Sequence, residues 1–105
     1  MQNNIQSILA LAKREPKTLE QMALKLAEET GEVAQAILSA GNSSGSVYKK
    51  LSMADAQEEC VDVILVALAL FEKLSAEDTA TEATFSELLE KKTAKWEAHM
   101  GKDTM

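Results

Sequence analysis

Residues 61–71 read VDVILVALALF, and the run from Val63 to Phe71 is the longest uninterrupted apolar stretch in the chain. It is well short of the roughly 18 apolar residues that span a bilayer. Its Ala and Leu content and the length of the surrounding segment favour a helix over a buried strand. Because this helix is apolar on nearly every side, other helices must enclose it. One small chain supplies too few of them, so we expect a homo-oligomer.

Local signals set the predicted helix boundaries. Pro16 stops the first helix, and Thr18 forms a capping box with Gln21 that opens the second. Ser52 is a good N-cap for the third helix, and Gly101 is expected to end the fourth. The predicted helices span about 4–13, 18–40, 52–74 and 82–100. We therefore predict a single all-α domain over residues 1–105, a four-helix-bundle protomer that assembles into a homodimer or homotetramer.

Composition excludes several classes of protein. The 105 residues carry 17 acidic and 11 basic side chains, a net charge of −6, which argues against a nucleic-acid partner. The single Cys rules out an internal disulfide framework. No targeting signal is expected, because Lys13 and Arg14 follow the first apolar segment instead of preceding it. No membrane span is expected, because the longest apolar run is too short. We expect a cytoplasmic protein with no membrane partner.

Two similar acidic segments lie thirty residues apart, EETGE at 28–32 and EECVD at 58–62. Both have the pattern acid-acid-x-x-acid. If the second and third helices form an antiparallel pair, the midpoint of Glu29 and Glu32 lies roughly 14 Å from its helix end, and that of Glu59 and Asp62 roughly 11 Å from its helix start. The two acidic pairs then come level to within about one helical turn. Four carboxylates are expected to converge.

Converging carboxylates repel one another, and burial increases the cost. Protonation or a bound cation relieves this repulsion. With oxygen ligands and no His or Cys among them, Mg²⁺ or Mn²⁺ fits better than Zn²⁺. The alternative is an acidic face that is merely solvated and paired with lysines elsewhere.

The segments LAEETGE at 26–32 and ECVD at 59–62 together resemble the EExxE…ExxD signature of the MazG-like all-α nucleoside triphosphate pyrophosphohydrolases. The resemblance covers about residues 18–74, including the helix pattern and the interrupting loop. It implies a dimeric or tetrameric helical bundle whose Mg²⁺ ligands are Glu29, Glu32, Glu59 and Asp62. The implied reaction converts a (deoxy)nucleoside triphosphate to its monophosphate and pyrophosphate, with a house-cleaning role against unwanted nucleotides.

Two residues beside the acidic pairs are candidates for the reaction itself. Glu28 adjoins the site without being an expected ligand, so it is a candidate for the base that takes the proton of the attacking water. Its alternative is a solvent-facing acid. Lys25 is a candidate phosphate contact, and its alternative is an i,i+4 salt bridge to Glu29.

Further candidate substrate contacts lie on the last helix, at Lys91, Lys92, Lys95 and Trp96. Many members of the resembled family carry phosphate-contacting Lys and Asn there, but this chain has Asn only at positions 3, 4 and 42. Trp96 either stacks on a base or packs in the core, as its spacing with Leu89 suggests.

Other expectations are less specific. The resemblance suggests Ile5 and Leu9 as walls of a base pocket, with simple core packing as the alternative. Cys60 is expected to be a buried thiol. The loop from Gly41 to Leu51 either closes over substrate or connects two helices, and its candidate contacts are Tyr48, Lys49 and Lys50.

The sequence also allows two non-hydrolase alternatives. A non-catalytic helical oligomerisation or interaction protein would carry the same acids as solvated surface charge. A carboxylate-bridged di-iron bundle uses Glu-x-x-His pairs. It is disfavoured here, because the sole histidine, His99, has Trp96 three residues before it.

Overall fold

A computed structural model describes residues 3–41, 51–75 and 80–103. These residues form four α-helices and no strand, which confirms the predicted all-α class. None of the described helices is both long and apolar enough to cross a membrane. Tyr48, Lys49, Lys50 and most of their loop lie outside the described residues. The helices are α1 (Asn3–Ala12), α2 (Leu19–Ala40), α3 (Met53–Leu74) and α4 (Thr81–Asp103).

Side-chain caps begin the two central helices. At the start of α2, the Thr18 backbone N–H donates to Gln21 Oε1 at 2.9 Å, and the Gln21 N–H donates to Thr18 Oγ1 at 3.1 Å. At the start of α3, the Ser52 N–H donates to Asp55 Oδ2 at 2.7 Å, and the Asp55 N–H donates to Ser52 Oγ at 3.2 Å. The capping box predicted at Thr18 and the N-cap predicted at Ser52 are therefore confirmed.

The helices α2 and α3 pack along each other in antiparallel directions. The Leu51 N–H, just before α3, donates to Ser39 Oγ near the end of α2 at 2.9 Å. Further along, Glu29 of α2 lies beside Glu59 of α3, and Met22 shares a cavity with residues of the second half of α3. As the chain advances along α3 it thus meets earlier and earlier residues of α2. This register brings the two acidic segments together.

The other two helices pack on α3 and on each other. The segment after α1 is attached to α3, since the Lys73 ammonium donates to the Glu15 carbonyl at 2.9 Å. The first turns of α4 are attached through Phe85, whose ring meets that of Phe71 edge-on, with ring centroids 5.4 Å apart. Thr81 is buried at the same end of α4.

Beyond these first turns, α4 has no covered surface. Every described side chain from Ser86 to Gly101 is exposed, including Trp96. Core packing of Trp96 is therefore wrong for the single protomer. The predicted end of the helix at Gly101 is also wrong, because α4 continues to Asp103. A single glycine in an exposed helix costs only about 1 kcal/mol and does not by itself stop it.

The protomer covers little of its apolar surface. Few apolar side chains among the described residues are buried. They are Leu9 and Ala12 in α1, Met22 and Ala36 in α2, and Ala56 and Leu68 in α3. The apolar run of α3, expected to be enclosed, leaves Val61 53% and Ile64 55% exposed. Cys60 is exposed too, so the prediction of a buried thiol is wrong. The radius of gyration, 16.6 Å, exceeds the roughly 13 Å of a compact domain of this length.

Candidate metal centre

Three carboxylates meet where α2 packs against α3. Glu29 of α2 and Glu59 and Asp62 of α3 each offer an oxygen, and these oxygens all lie within 4.8 Å of one another. Glu59 and Asp62 are three residues apart and share one face of α3. We call Glu29, Glu59 and Asp62 the acid cluster. Its donors are all oxygen atoms, the ligand type that suits Mg²⁺ and Mn²⁺.

Burial makes the acid cluster costly as it stands. Glu29 is only 7% exposed, and Glu59 is half-buried. Glu29 Oε2 and Glu59 Oε2 are both buried without a hydrogen-bond partner. A buried carboxylate oxygen that lacks a donor loses its hydration without compensation. Both unpartnered oxygens belong to carboxylates of the acid cluster, and this arrangement fits the coordination of a divalent cation.

Glu32 lies one turn after Glu29 at the exposed edge of the acid cluster. The negative charge of Glu29 is the main cause that raises the pKa of the Glu32 carboxyl, and a hydrogen bond between protonated Glu32 and Glu59 adds to this rise in pKa. Glu32 therefore interacts with both helices' acids. Three of the four carboxylates expected to converge form the acid cluster, and Glu32 lies at its edge. Their role as metal ligands stays a prediction.

Lys25 supplies the positive charge next to the acid cluster. Its Nζ lies 3.1 Å from Glu29 Oε1 and 3.6 Å from Glu28 Oε1. The hydrogen bond to Glu29 is the main cause that raises the pKa of the Lys25 ammonium. The i,i+4 salt bridge predicted for Lys25 is thus present. Because it occupies Glu29 Oε1 only, Glu29 Oε2 stays without a partner.

Glu28 faces away from the buried part of the cluster. Its side chain is 60% exposed, and its ion-pair partner is Lys25. This position matches the solvent-facing alternative in the protomer. Its role as a base stays a prediction.

The candidates on α4 are exposed. Within the described residues, Lys91, Lys92 and Lys95 form no ion pair, and Trp96 is 64% exposed. Since only the first turns of α4 are anchored, its second half offers these side chains to solvent. Their role as substrate contacts stays a prediction.

An apolar cavity of about 250 Å³ lies among α1, α2 and α3, beside Lys25. On α1, Ile8 and Leu11 line this cavity, whereas Ile5 and Leu9, the residues that the resemblance suggests as walls of a base pocket, do not. Leu9 is a buried core residue. The spacing predicts only part of this arrangement: Val66 follows Asp62 by four residues and Lys25 precedes Glu29 by four, so each lies on the same helix face as an acid of the cluster. Its apolar walls are Ile8, Leu11, Ala12, Met22, Leu65, Val66 and Ala69.

The chain has no significant match to a protein-family model, to a curated protein sequence or to a solved structure. The likeness to the MazG-like enzymes therefore rests on the two acidic motifs and their helices alone.

Proposed function

We propose that the protein is a Mg²⁺-dependent nucleotide pyrophosphohydrolase, which converts a (deoxy)nucleoside triphosphate to its monophosphate and pyrophosphate. The observation that carries this proposal is the acid cluster with its two buried, unpartnered oxygens on Glu29 and Glu59. An acidic protein binds a polyanion poorly unless a cation intervenes. The house-cleaning role, removal of unwanted nucleotides, is part of the same proposal.

Glu29, Glu59, Asp62 and Glu32 are the proposed ligands of Mg²⁺, or of Mn²⁺ in its place. The bound ion supplies charge neutralisation, a bridge to phosphate oxygens and orientation of a water molecule. Glu29 and Glu59 are supported by their buried oxygens, and Asp62 by its place within 4.8 Å of both. Glu32 is supported by its place one turn after Glu29 and by the charge of Glu29, which raises the pKa of the Glu32 carboxyl.

The remaining residues of the site bind and orient the substrate. Lys25 lines the apolar cavity and also pairs with Glu29. It therefore lies between the cavity, which is the proposed site of the base, and the acid cluster, which is the proposed site of the phosphates. The apolar side chains of the cavity suit the face of a nucleobase. Glu28, one residue before Glu29 and exposed to water, is the proposed acceptor of the water proton.

A homo-oligomer completes the proposed enzyme. The exposed apolar side chains of α3, Val61, Ile64 and Leu65, and the uncovered second half of α4 support a contact with a second copy. In that assembly α4 carries Lys91, Lys92, Lys95 and Trp96 toward substrate. The three lysines within residues 91–95 are opposite in charge to the acid cluster, which favours such a pairing.

Two adjacent acids of α3 give a matched test of the enzyme. Glu59 belongs to the acid cluster, whereas Glu58 is exposed and outside it. We expect Glu59→Gln to lower pyrophosphate release from its best (d)NTP by at least about 100-fold. Glu58→Gln should change it little. The measurement is pyrophosphate release from each common (d)NTP with Mg²⁺ and with EDTA.

Metal binding has a separate readout. With Mg²⁺ at a hundredfold excess over its dissociation constant, the free energy of unfolding should rise by about 2.7 kcal/mol in the wild type and not in Glu59→Gln. Unchanged turnover in the Glu32→Ala/Asp62→Ala double variant would end the enzyme proposal.

The second candidate function is a non-catalytic helical interaction protein with a solvated acidic face. The exposed apolar side chains of α4, among them Leu89, Trp96 and Met100, favour it. No turnover of any nucleotide, together with a stability that Mg²⁺ leaves unchanged, would support this function over the enzyme.

A further inference from the structure

A second cavity of about 250 Å³ lies between α1, the end of α3 and the start of α4. It is separate from the acid cluster and shares no residue with it. Its walls are more polar than those of the cavity beside Lys25, since Gln6, Lys13, Glu72 and Glu82 line it. Its volume lies below the roughly 300–1,000 Å³ of sites for drug-sized ligands, so a ligand here must be small.

Glu72 is the unusual side chain of this cavity. It is 6% exposed, so more than nine-tenths of it is buried, and its Oε2 has no hydrogen-bond partner. A carboxylate in this position has lost water and gained no donor. The acid cluster's ligands leave the same kind of oxygen unpartnered, but Glu72 lies near the opposite end of α3.

The cavity wall carries more negative than positive charge. Glu72 and Glu82 both line it, against the single ammonium of Lys13. Within the described residues, neither Glu72 nor Lys13 belongs to an ion pair. A cation from outside the chain would relieve the buried charge of Glu72.

The donor set favours an organic cation over a metal ion. Among the described residues, the one group of three metal-ligating side chains is the acid cluster, so Glu72 has no set of neighbouring carboxylates that could chelate a metal. An ammonium group instead needs one carboxylate and further acceptors for its three N–H donors. The Gln6 side chain offers an amide oxygen at the same cavity.

We propose that this cavity binds a small primary amine in its ammonium form, with the Glu72 carboxylate accepting one of its hydrogen bonds. The walls formed by Leu9 and Ala10 contact the carbon atoms of the amine. Glu82, on the rim provided by α4, adds a second negative charge that favours a diamine over a monoamine. The site is independent of the proposed hydrolase activity.

Putrescine is the probe for this site, measured by isothermal titration calorimetry and by the shift of the melting temperature, at constant ionic strength. We expect saturable binding to the wild type. The dissociation constant should be at least tenfold larger for Glu72→Gln, since the variant loses a charge-assisted hydrogen bond. Glu90→Gln, an equal loss of charge on an exposed part of α4, is the matched control and should bind as the wild type does.

Two further variants keep the test decisive if Glu72→Gln fails to fold. Ala10→Leu keeps Glu72 but fills the cavity from α1, and should abolish binding. Lys13→Gln removes the competing ammonium, and should strengthen binding. Equal binding by wild type and Ala10→Leu, a loss of binding in Lys13→Gln, or no saturable binding to the wild type would each overturn the proposal.

Discussion

Asp55 shows how one side chain can begin a helix and tie folding to pH. Its Oδ2 accepts a hydrogen bond from the Ser52 backbone N–H at 2.7 Å and another from Ser52 Oγ at 2.9 Å. The backbone hydrogen bond is the larger cause that lowers the pKa of the Asp55 carboxyl below its ordinary 3.8. The charged form is thus preferred in the folded protein.

This depressed pKa sets the direction of a pH effect. The stabilisation from ionised Asp55 should be fully present above pH 3.8, the ordinary value, and lost as the pH falls through the lower pKa of the folded state. We expect the wild type to be more stable than Asp55→Asn at neutral pH and the difference to vanish in acid. Urea denaturation across the acidic range measures it. An unchanging difference would contradict the role of the charge.

Individual residues also show how far spacing alone can predict a site. The i,i+4 pairing of Lys25 with Glu29 follows from helix geometry, and the ion pair at 3.1 Å confirms it. The exposure of the Cys60 side chain could not be predicted in the same way. Its exposure depends on which neighbours cover α3, and in the protomer they leave that face open. The spacing of residues along one helix predicts contacts within that helix, whereas the exposure of a side chain depends on how the other helices pack around it.

At the level of the helix, Gly31 stands in the middle of α2. A Cβ built there meets nothing within 4 Å, and the residue is exposed. Glycine at such a position weakens a helix because it loses more backbone entropy on folding than alanine does. It lies within the first acidic segment, between Glu29 and Glu32.

We expect Gly31→Ala to raise the free energy of unfolding by about 0.5–1 kcal/mol. Gly101→Ala is the control, since it also meets nothing within 4 Å but lies near the end of α4, where helices fray and the gain should be smaller. Urea denaturation of the three proteins measures both differences. A loss of stability in Gly31→Ala would mean that a second copy or a ligand approaches this position.

The boundaries of the helices were predictable where a side chain caps them. Thr18 and Ser52 act within four residues of chain, so their signal is complete in the sequence. The end of α4 had no such signal, because Gly101 alone neither caps nor breaks a solvated helix. The acid cluster was predictable for a related reason. Once α2 and α3 pair antiparallel across one loop, their lengths determine which acids come level.

For the whole molecule, uncovered apolar surface is the dominant feature. Apolar side chains are exposed on α3 and along the second half of α4, and the radius of gyration is 16.6 Å. The periodicity of one chain does not predict what covers this surface. The pattern of Val61, Ile64 and Leu65 indicates only that the face is apolar. The sequence therefore predicted a homo-oligomer from the same residues that the protomer leaves exposed.

We expect the protein to elute in size-exclusion chromatography with light scattering at a whole multiple of its 11.4 kDa mass. Ile64→Lys should reduce that mass to one protomer, because an unpaired charge is costly to bury in an apolar contact. Leu74→Lys, the same kind of change at the exposed end of α3, should leave the assembly intact. A wild type that elutes as a protomer at every concentration would exclude the proposed oligomer.

The bare helix α4 also carries the chain's one tryptophan, Trp96. An indole ring in water emits at longer wavelength than one held against apolar side chains. With 64% of its surface exposed, Trp96 starts from the red-shifted end of that range. A partner or ligand that covers Trp96 on α4 will therefore shift the intrinsic fluorescence of the protein to shorter wavelength, and this shift can be followed without a dye or a tag.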